Sequence, residues 1–196
     1  MSTTDRPDRL HFTGDPEADQ LLASDPLALL IGFALDQQVS VQKAFSGPAE
    51  LRRRIGHLDA ARIAATELVE LERIFRDRPA LHRFPAAMAA RVQSLCAFIS
   101  SEYGGEAARV WREAHDGPDL QRRLLALPSI GEMKARSLIA ILGKRLGVDL
   151  PDLAAVMPSH PTLGDVDSPE ALEHYQALKR AYKAELRARG ETFGGR

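Results

Sequence analysis

The segment of this chain best suited to chemistry is residues 124–146, LLALPSIGEMKARSLIAILGKRL. Its Pro-Ser-Ile-Gly sequence predicts a tight turn between two short helices, which we call the hairpin. Because Gly131 can take a positive φ that a side chain would resist, the turn can fold back and aim successive backbone N–H groups at one anion. The dipole of the following helix adds to this attraction. Ser129, Ile130 and Gly131 are therefore predicted to hold a phosphate group.

The hairpin region is also strongly basic. Residues 120–147 contain six Lys or Arg against one acid, a local balance of +5 in a chain whose net charge is −1. Lys134 and Arg136 fall in the first turn of the second helix, whereas apolar residues at helical spacing form its far face. Because a phosphate responds to the local patch of charge, the net charge permits binding to DNA. We expect Lys134 and Arg136 to contact phosphates.

Length and composition exclude several other classes of protein. With 196 residues, of which 44% are hydrophobic and 27% charged, the chain has the composition of an ordinary globular protein. No apolar run approaches the ~20 residues of a membrane helix, and the N-terminus lacks the apolar core of a signal peptide. We therefore expect a cytoplasmic monomer that binds no membrane. Cys96 is the only cysteine, and no histidines and carboxylates have metal-ligand spacing, so we predict no disulfide, metal or cofactor.

The elements that must position the hairpin are predicted to be helical. Strand patterns are nearly absent, and apolar residues recur at helical spacing almost everywhere, which indicates an all-α protein. We expect residues 1–15 to form a flexible polar arm, residues 16–189 a single helical domain, and residues 190–196 a frayed tail. Within the domain, a buried central helix is predicted to begin at Pro26 with Asp25 as its N-cap, and a last helix to follow Ser168.

Two segments of the chain resemble one known family. LLIGFALDQQVSVQKA resembles the L-x-x-x-x-L-x-Q-Q helix of the helix-hairpin-helix GPD superfamily of base-excision DNA glycosylases, and LPSIGEMKARSLIAIL resembles its LPGVGxKTAxxIL hairpin. The segments stand in the family's order, about ninety residues apart, and the similarity extends from about Asp25 to Asp152. The resemblance implies a two-lobed all-helical fold with a DNA-binding cleft between the lobes. It also implies that the hairpin clamps one phosphate of double-stranded DNA.

The resemblance further implies how such a protein treats DNA. In the family the duplex is bent, and the target nucleotide is flipped into the cleft, where a damaged or mispaired base is removed. Gln37 and Gln38 occupy the positions of family glutamines that enter the DNA stack or line the cleft. The alternative for these two residues is an ordinary polar pair at the end of a helix.

The hairpin departs from the family's pattern at two positions. The first glycine of the family's G-x-G is Ser129 here, and the position of the lysine that attacks the sugar in strand-cutting members is Met133. Lys134 comes one residue later, and one step along a helix rotates a side chain by about 100°. We therefore expect Lys134 to face phosphate, where nearby negative charge keeps its amine protonated. These departures, with the absence of the family's cluster-binding cysteines, indicate a monofunctional glycosylase without lyase activity.

The catalytic carboxylate is the least defined part of the resemblance. Removing a base builds positive charge on the sugar, and an ionised carboxylate beneath the sugar stabilises that charge. In the family this aspartate lies about twenty residues after the second glycine, usually within V-D-T or V-D-N. Here Asp149 lies eighteen residues and Asp152 twenty-one residues after Gly131, and neither has the usual continuation. Asp152 fits the count better, Asp149 fits the preceding valine, and the sequence leaves open that neither is the acid.

Two other functions are compatible with the same residues. A non-catalytic module that recognises DNA or a lesion would keep the hairpin and lack the acid. A helical adaptor without a role on DNA would explain the fold, and its basic residues would then be a solvated helix face, but it would not explain why they concentrate at the hairpin.

Overall fold

The computed structural model describes residues 7–190, apart from the side chains of Lys183 and Leu186. Within this range the chain forms eleven α-helices and one short 3₁₀ helix, Leu163–Asp165, and no β-strand, so the all-α prediction is confirmed. The α-helices are α1 (Pro16–Ser24), α2 (Pro26–Leu35), α3 (Val41–Ile55), α4 (Ala60–Ala65), α5 (Leu68–Arg76), α6 (Pro85–Tyr103), α7 (Arg109–Arg112), α8 (Gly117–Ala126), α9 (Glu132–Lys144), α10 (Leu153–Val156) and α11 (Pro169–Ala188).

The helices near the site begin where the sequence supplies capping residues. The Asp25 carboxylate accepts hydrogen bonds from the N–H groups of Leu27 (2.9 Å) and Ala28 (3.2 Å) and caps α2 as predicted. The Ser168 hydroxyl accepts from the N–H of Ala171 (3.1 Å) at the start of α11, which also agrees with the prediction. These caps satisfy backbone donors that the first turn of a helix leaves unpaired.

Helix α2 lies at the centre of the first half of the molecule. All of its residues from Leu27 to Leu35 are buried. A β-carbon at Gly32 would lie 2.6 Å from the Phe45 ring, so glycine at this position lets α2 and α3 pack closely. The polar residues that follow α2 are therefore held at the end of a helix that has little freedom to move.

The predicted N-terminal arm is wrong for residues 7–15. Leu10 and Phe12 are fully buried, and Phe12 packs edge-on against Phe45 with ring centroids 5.2 Å apart. The Asp19 carboxylate fixes this segment by accepting the N–H groups of Phe12 (3.0 Å) and Thr13 (2.9 Å). The burial of Leu10 and Phe12 thus anchors the otherwise polar segment 7–15 to the core. The rest of the predicted arm, residues 1–6, and residues 191–196 of the predicted tail lie outside the described residues.

The helices fall into two groups by their packing. Helices α1–α6 pack against one another, and α7–α11 pack against one another together with the 3₁₀ helix. One hydrophobic core nevertheless runs through both groups, and it includes Leu29, Leu95, Leu124 and Ile139, which are all fully buried. The two groups therefore share a continuous interior.

No single helix among the described residues is long and apolar enough to cross a membrane. Helices α1 and α2 reach the required length and composition only as a pair, with a bend of 114° between them.

Candidate nucleic-acid interface

Residues 127–131 form the turn of the hairpin between α8 and α9. The N–H of Ile130 donates to the carbonyl of Leu127 (3.2 Å), and the Ile130 side chain is buried beneath the turn. The positive φ lies at Ser129 (+69°) rather than at Gly131, whose φ is −97° and ψ −179°. The predicted conformation of Gly131 is therefore wrong. Gly131 is the N-cap of α9 in extended backbone, so the chain reverses two residues earlier, at Ser129.

The N-terminus of α9 is open to solvent. Its N-cap, Gly131, carries no side chain to accept hydrogen bonds, and a β-carbon built there would meet nothing within 4 Å. The first hydrogen bond into the helix joins the N–H of Ala135 to the carbonyl of Gly131 (2.9 Å). Among the described residues, nothing accepts the backbone N–H groups of Glu132, Met133 or Lys134. Three donors and the positive end of the helix dipole therefore face unobstructed space, which is suited to an anion.

Most basic residues of the hairpin region already have acidic partners. Asp119 lies one residue before the window of residues 120–147 and Asp165 eighteen residues after it, so the local balance of +5 includes neither. A hydrogen bond from Arg123 lowers the pKa of Asp119 to about 2. Exposed ion pairs contribute only about 0–1 kcal/mol, so the exposed Arg122, Arg136 and Lys144 can exchange a carboxylate for a phosphate at low cost. The Arg123–Asp119 pair is largely shielded from solvent. The pairs are Arg122 and Arg123 with Asp119, Arg136 with Glu132, and Lys144 with Asp165.

Lys134 does not face outward, and that prediction is wrong. Its Nζ donates to the carbonyl of Ser129 (3.2 Å) within the turn, and the residue is half-buried. Burial lowers the pKa of Lys134, the negative charge of Asp36 opposes this effect, and the positive charge of Arg91 adds to it. The Lys134 amine is therefore held back against the turn, and charges from the first group of helices act on it. Met133 is the exposed neighbour, with 40% of its surface accessible.

The two glutamines lie in the loop that follows α2, and side chains from the segment before and within α6 hold this loop. The carbonyl of Gln37 lies 3.1 Å from Nε2 of His82, and its side-chain oxygen accepts from the Arg91 guanidinium. Gln38 is exposed and has a φ of +56°. Its carbonyl accepts a long hydrogen bond from Arg83 (3.5 Å). Gln37 is thus fixed, whereas the Gln38 side chain is available to a ligand.

His82 determines how the glutamine loop is held. Its Nδ1 accepts the backbone N–H of Phe84 (3.0 Å), so the ring hydrogen lies on Nε2, which donates to the carbonyl of Gln37. The side chain is buried, and this burial lowers the pKa of His82. The folded protein therefore favours the neutral imidazole, because a charged ring would lose the Nδ1 acceptor.

A charged cluster forms where the two groups of helices meet. Asp36 follows α2 and is half-buried. Its charge acts on Lys134 of α9 and on Tyr175 of α11, whose pKa is raised to about 12 by burial, by Asp36 and by Asp165. The positive charge of Arg91, in α6, also acts on Lys134. Four separate parts of the chain, the end of α2, α6, α9 and α11, thus carry ionisable side chains that influence one another electrostatically.

Sequence reasoning missed three of these residues. Asp36 carried a usable signal, because it is the first charged residue after a continuously apolar helix and directly precedes Gln37. Arg91 and Tyr175 carried none, because only the packing of α6 and α11 brings them to the junction.

The two aspartates predicted as catalytic lie elsewhere. Asp149 and Asp152 are both exposed, and Asp152 has a φ of +55°. The N–H of Gly117 donates to the carbonyl of Pro151 (2.8 Å), which places this loop at the first residue of α8. Ten residues of α-helix, about 15 Å, separate that point from the hairpin turn. The structure therefore brings neither aspartate to Lys134 or Gln37.

Among the described residues, no group of three or more His, Cys, Asp or Glu side chains is arranged to hold a metal ion. The single cysteine, Cys96, is fully buried, and burial raises the pKa of its thiol to about 12, so it stays protonated and unreactive. The sequence matches no protein-family model and no curated protein.

Proposed function

We propose that this protein binds double-stranded DNA, with the hairpin holding one backbone phosphate. The observation that carries the proposal is the open N-terminus of α9, where three unpaired N–H groups face space that a β-carbon on Gly131 would not obstruct. Such a site neutralises a phosphate without reading its sequence. Exposed Arg122 and Arg136 lie on either side of the turn along the chain and supply mobile positive charge.

We further propose that the protein acts in base-excision repair as a monofunctional DNA N-glycosylase. In support, the helices pack in two groups, and the charge of Asp36, two residues before Gln38, acts on Lys134 of the second group. Met133 offers no amine at the position where strand-cutting relatives of such enzymes would have their lysine. The amine of Lys134 donates to the carbonyl of Ser129, which keeps it within the turn.

The second candidate is a non-catalytic module that recognises DNA or a lesion. It is favoured by the positions of Asp149 and Asp152, which are exposed and a helix length away from the hairpin turn. The two candidates share the DNA-binding surface and differ only in whether a base is released.

Two measurements test these proposals in order. Fluorescence anisotropy with labelled duplexes of unrelated sequence, intact or containing an abasic site, should show binding that weakens steeply with added salt. Incubation with duplexes that each carry one damaged or mispaired base should then release a free base from at least one of them. Absence of binding would contradict both candidates. Binding without release from any duplex would contradict the glycosylase and favour the recognition module.

A further inference from the structure

The C-terminal half of α11 extends beyond the packed part of the molecule. In the first half of this helix, Leu172 is buried and Tyr175 packs against the core. Every residue from Arg180 to Gly190 whose side chain the structure describes is exposed. A short helical segment without packing is only marginally stable in water, so this extension depends on the anchored half to remain helical. The packing of the fold therefore gives no reason for the extension.

The extension is basic, and most of its charge lies on one face. Residues 179–190 contain five Lys or Arg against one acid, a local balance of +4 in a chain whose net charge is −1. Successive positions of an α-helix are rotated by about 100°, so four of the five basic positions fall within an arc of about 100°. We call these four residues the basic stripe: Lys179, Arg180, Lys183 and Arg187.

The two exposed arginines of the basic stripe have no acidic partner. Among the ion pairs and hydrogen bonds of the described residues, none uses the side chain of Arg180 or Arg187. Arg189, two residues after Arg187 and thus about 160° away around the helix, instead lies 3.9 Å from the Glu185 carboxylate. Two unpaired guanidinium groups on one face therefore leave room for an external partner with negative charge.

The spacing of these arginines suits a nucleic-acid backbone. Arg180 and Arg187 are seven residues apart, which is about 10.5 Å along the helix axis. One strand of double-stranded DNA carries a phosphate for every 3.4 Å or so of its axis, so this distance covers about three phosphates. A regular row of negative charges thus matches both the sign and the length of the basic stripe.

A hydrogen bond places α11 beside the glutamine loop. Nε2 of Gln176 donates to the side-chain oxygen of Gln42 in the first turn of α3 (3.0 Å). Gln42 follows the exposed Gln38 by four residues, a separation that at most about 14 Å of chain can span. Arg180 follows Gln176 by about one helical turn, or about 6 Å. The basic stripe therefore begins close enough to Gln38 for one duplex to contact both.

We propose that the basic stripe of α11 binds the DNA backbone, as a second phosphate-contacting surface separate from the hairpin. This inference rests on the proposed binding of double-stranded DNA and does not require base release. The guanidinium groups of Arg180 and Arg187 donate charge-assisted hydrogen bonds to phosphate oxygens of one strand, and they read no sequence. The stripe lengthens the contact with the duplex beyond the single phosphate of the hairpin.

A membrane surface is the other negatively charged partner that a basic helix can bind. A helix that lies on a membrane needs a strongly apolar face opposite its charged face. In α11 the side opposite Arg187 carries the charged pair of Glu185 and Arg189. The arrangement of charge therefore favours DNA over a membrane.

The proposal is tested by the affinity for intact duplexes of unrelated sequence, measured by fluorescence anisotropy at several salt concentrations. The double variant Arg180→Gln/Arg187→Gln should raise Kd on the order of tenfold for every sequence. It should also reduce the slope of log affinity against log salt by about 1.8, because two phosphate contacts are lost. Arg180→Lys/Arg187→Lys keeps both charges and should keep the salt slope.

Two controls separate the basic stripe from a general effect of charge. Arg73→Gln/Arg76→Gln removes the same charge from α5, which packs on α3 and α6, and should keep the affinity of the wild type. Arg189→Gln should also bind as the wild type does, whereas Arg187→Gln alone should reduce the salt slope by about 0.9. Thermal melting should be nearly unchanged in all these variants, because the replaced side chains are exposed.

Lower affinity and a smaller salt slope in the double variant, with neither change in the controls, would support the proposal. Wild-type affinity in the double variant would overturn it, and so would an equal loss in Arg73→Gln/Arg76→Gln. Binding to vesicles of anionic phospholipid that the double variant loses, while it keeps its affinity for DNA, would also overturn the proposal. If the wild type binds no duplex, the proposed function itself fails; if only the double variant behaves as the wild type does, the hairpin site still stands.

Discussion

Replacing Gly131 with aspartate should make the protein more stable and yet weaken its binding to DNA. Gly131 is the N-cap of α9, with a φ of −97° and a ψ of −179°, a conformation that aspartate readily adopts at an N-cap. The new side chain would enter open space, because a β-carbon at this position meets nothing within 4 Å. Its carboxylate would accept the N–H groups of the first turn and occupy the position that we propose for a phosphate.

The two effects have opposite signs and can be estimated separately. The interaction of the new carboxylate with the helix dipole should stabilise the folded state by about 0.3–1 kcal/mol. Replacing glycine restricts the unfolded chain and should stabilise the folded state by a further 0.4–1 kcal/mol or so. We expect a gain of about 1 kcal/mol in the free energy of unfolding, which raises Tm by about 2–4 °C for a chain of this size. Loss of a charge-assisted contact worth about 1.5–3 kcal/mol should raise the Kd for duplex DNA by about 10- to 100-fold.

Calorimetry and fluorescence anisotropy measure the two effects on the same sample. Loss of one phosphate contact should also reduce the slope of log affinity against log salt by about 0.9. Gly131→Asn is the matched control, because asparagine caps the helix without adding charge and should weaken binding less than aspartate does. If Gly131→Asp gains stability but keeps the affinity and salt slope of the wild type, the hairpin does not bind phosphate. A large loss of stability would instead show that the N-terminus of α9 is not open.

Three further outcomes follow from the same region. Ser129→Gly should raise the free energy of unfolding by about 1 kcal/mol in a denaturant titration, because it relieves a positive φ that costs a side chain about 1–2 kcal/mol; Ser129→Ala, which keeps the strain, should not. Burial lowers the pKa of His82 in the folded state. The free energy of unfolding should therefore have its full value above about pH 6.5, the pKa of histidine in the unfolded chain. It should then decline by up to about 1.4 kcal/mol per pH unit as the pH falls. His82→Gln should flatten that decline, and an identical pH profile would contradict the buried neutral imidazole. Borohydride should trap little covalent adduct between the protein and a duplex containing an abasic site, because the Lys134 amine is bound to the Ser129 carbonyl; a strong adduct that disappears in Lys134→Arg would show that the protein is a lyase.

The features that sequence predicted well are those determined by neighbouring residues. Helix α2 begins where Asp25 and Pro26 indicate, because a capping carboxylate and a proline at the first position both act within one turn. The helical hairpin is present for the same reason, since the apolar spacing of α9 and the turn residues are local signals.

The features that sequence missed depend on distant parts of the chain. The predicted orientation of Lys134 is wrong because helical phase alone does not reveal that the Ser129 carbonyl accepts its amine. Gly131 was assigned the positive φ on its residue type, yet the start of α9 required that conformation at Ser129. The count of charges in residues 120–147 likewise omitted Asp119, one residue before the window.

The continuous core has a mechanical consequence for any duplex that binds. Because one hydrophobic core runs through both groups of helices, hinging them apart would expose apolar side chains of that core, each at a cost of about 1.5–3 kcal/mol. If the protein binds a duplex as we propose, it would present a surface that changes little in shape, and the energy of deformation would fall on the nucleic acid. Base steps that are mismatched or damaged bend at lower cost than intact ones. A rigid binding surface would in this way select a weakened site by its flexibility before any side chain contacts the base.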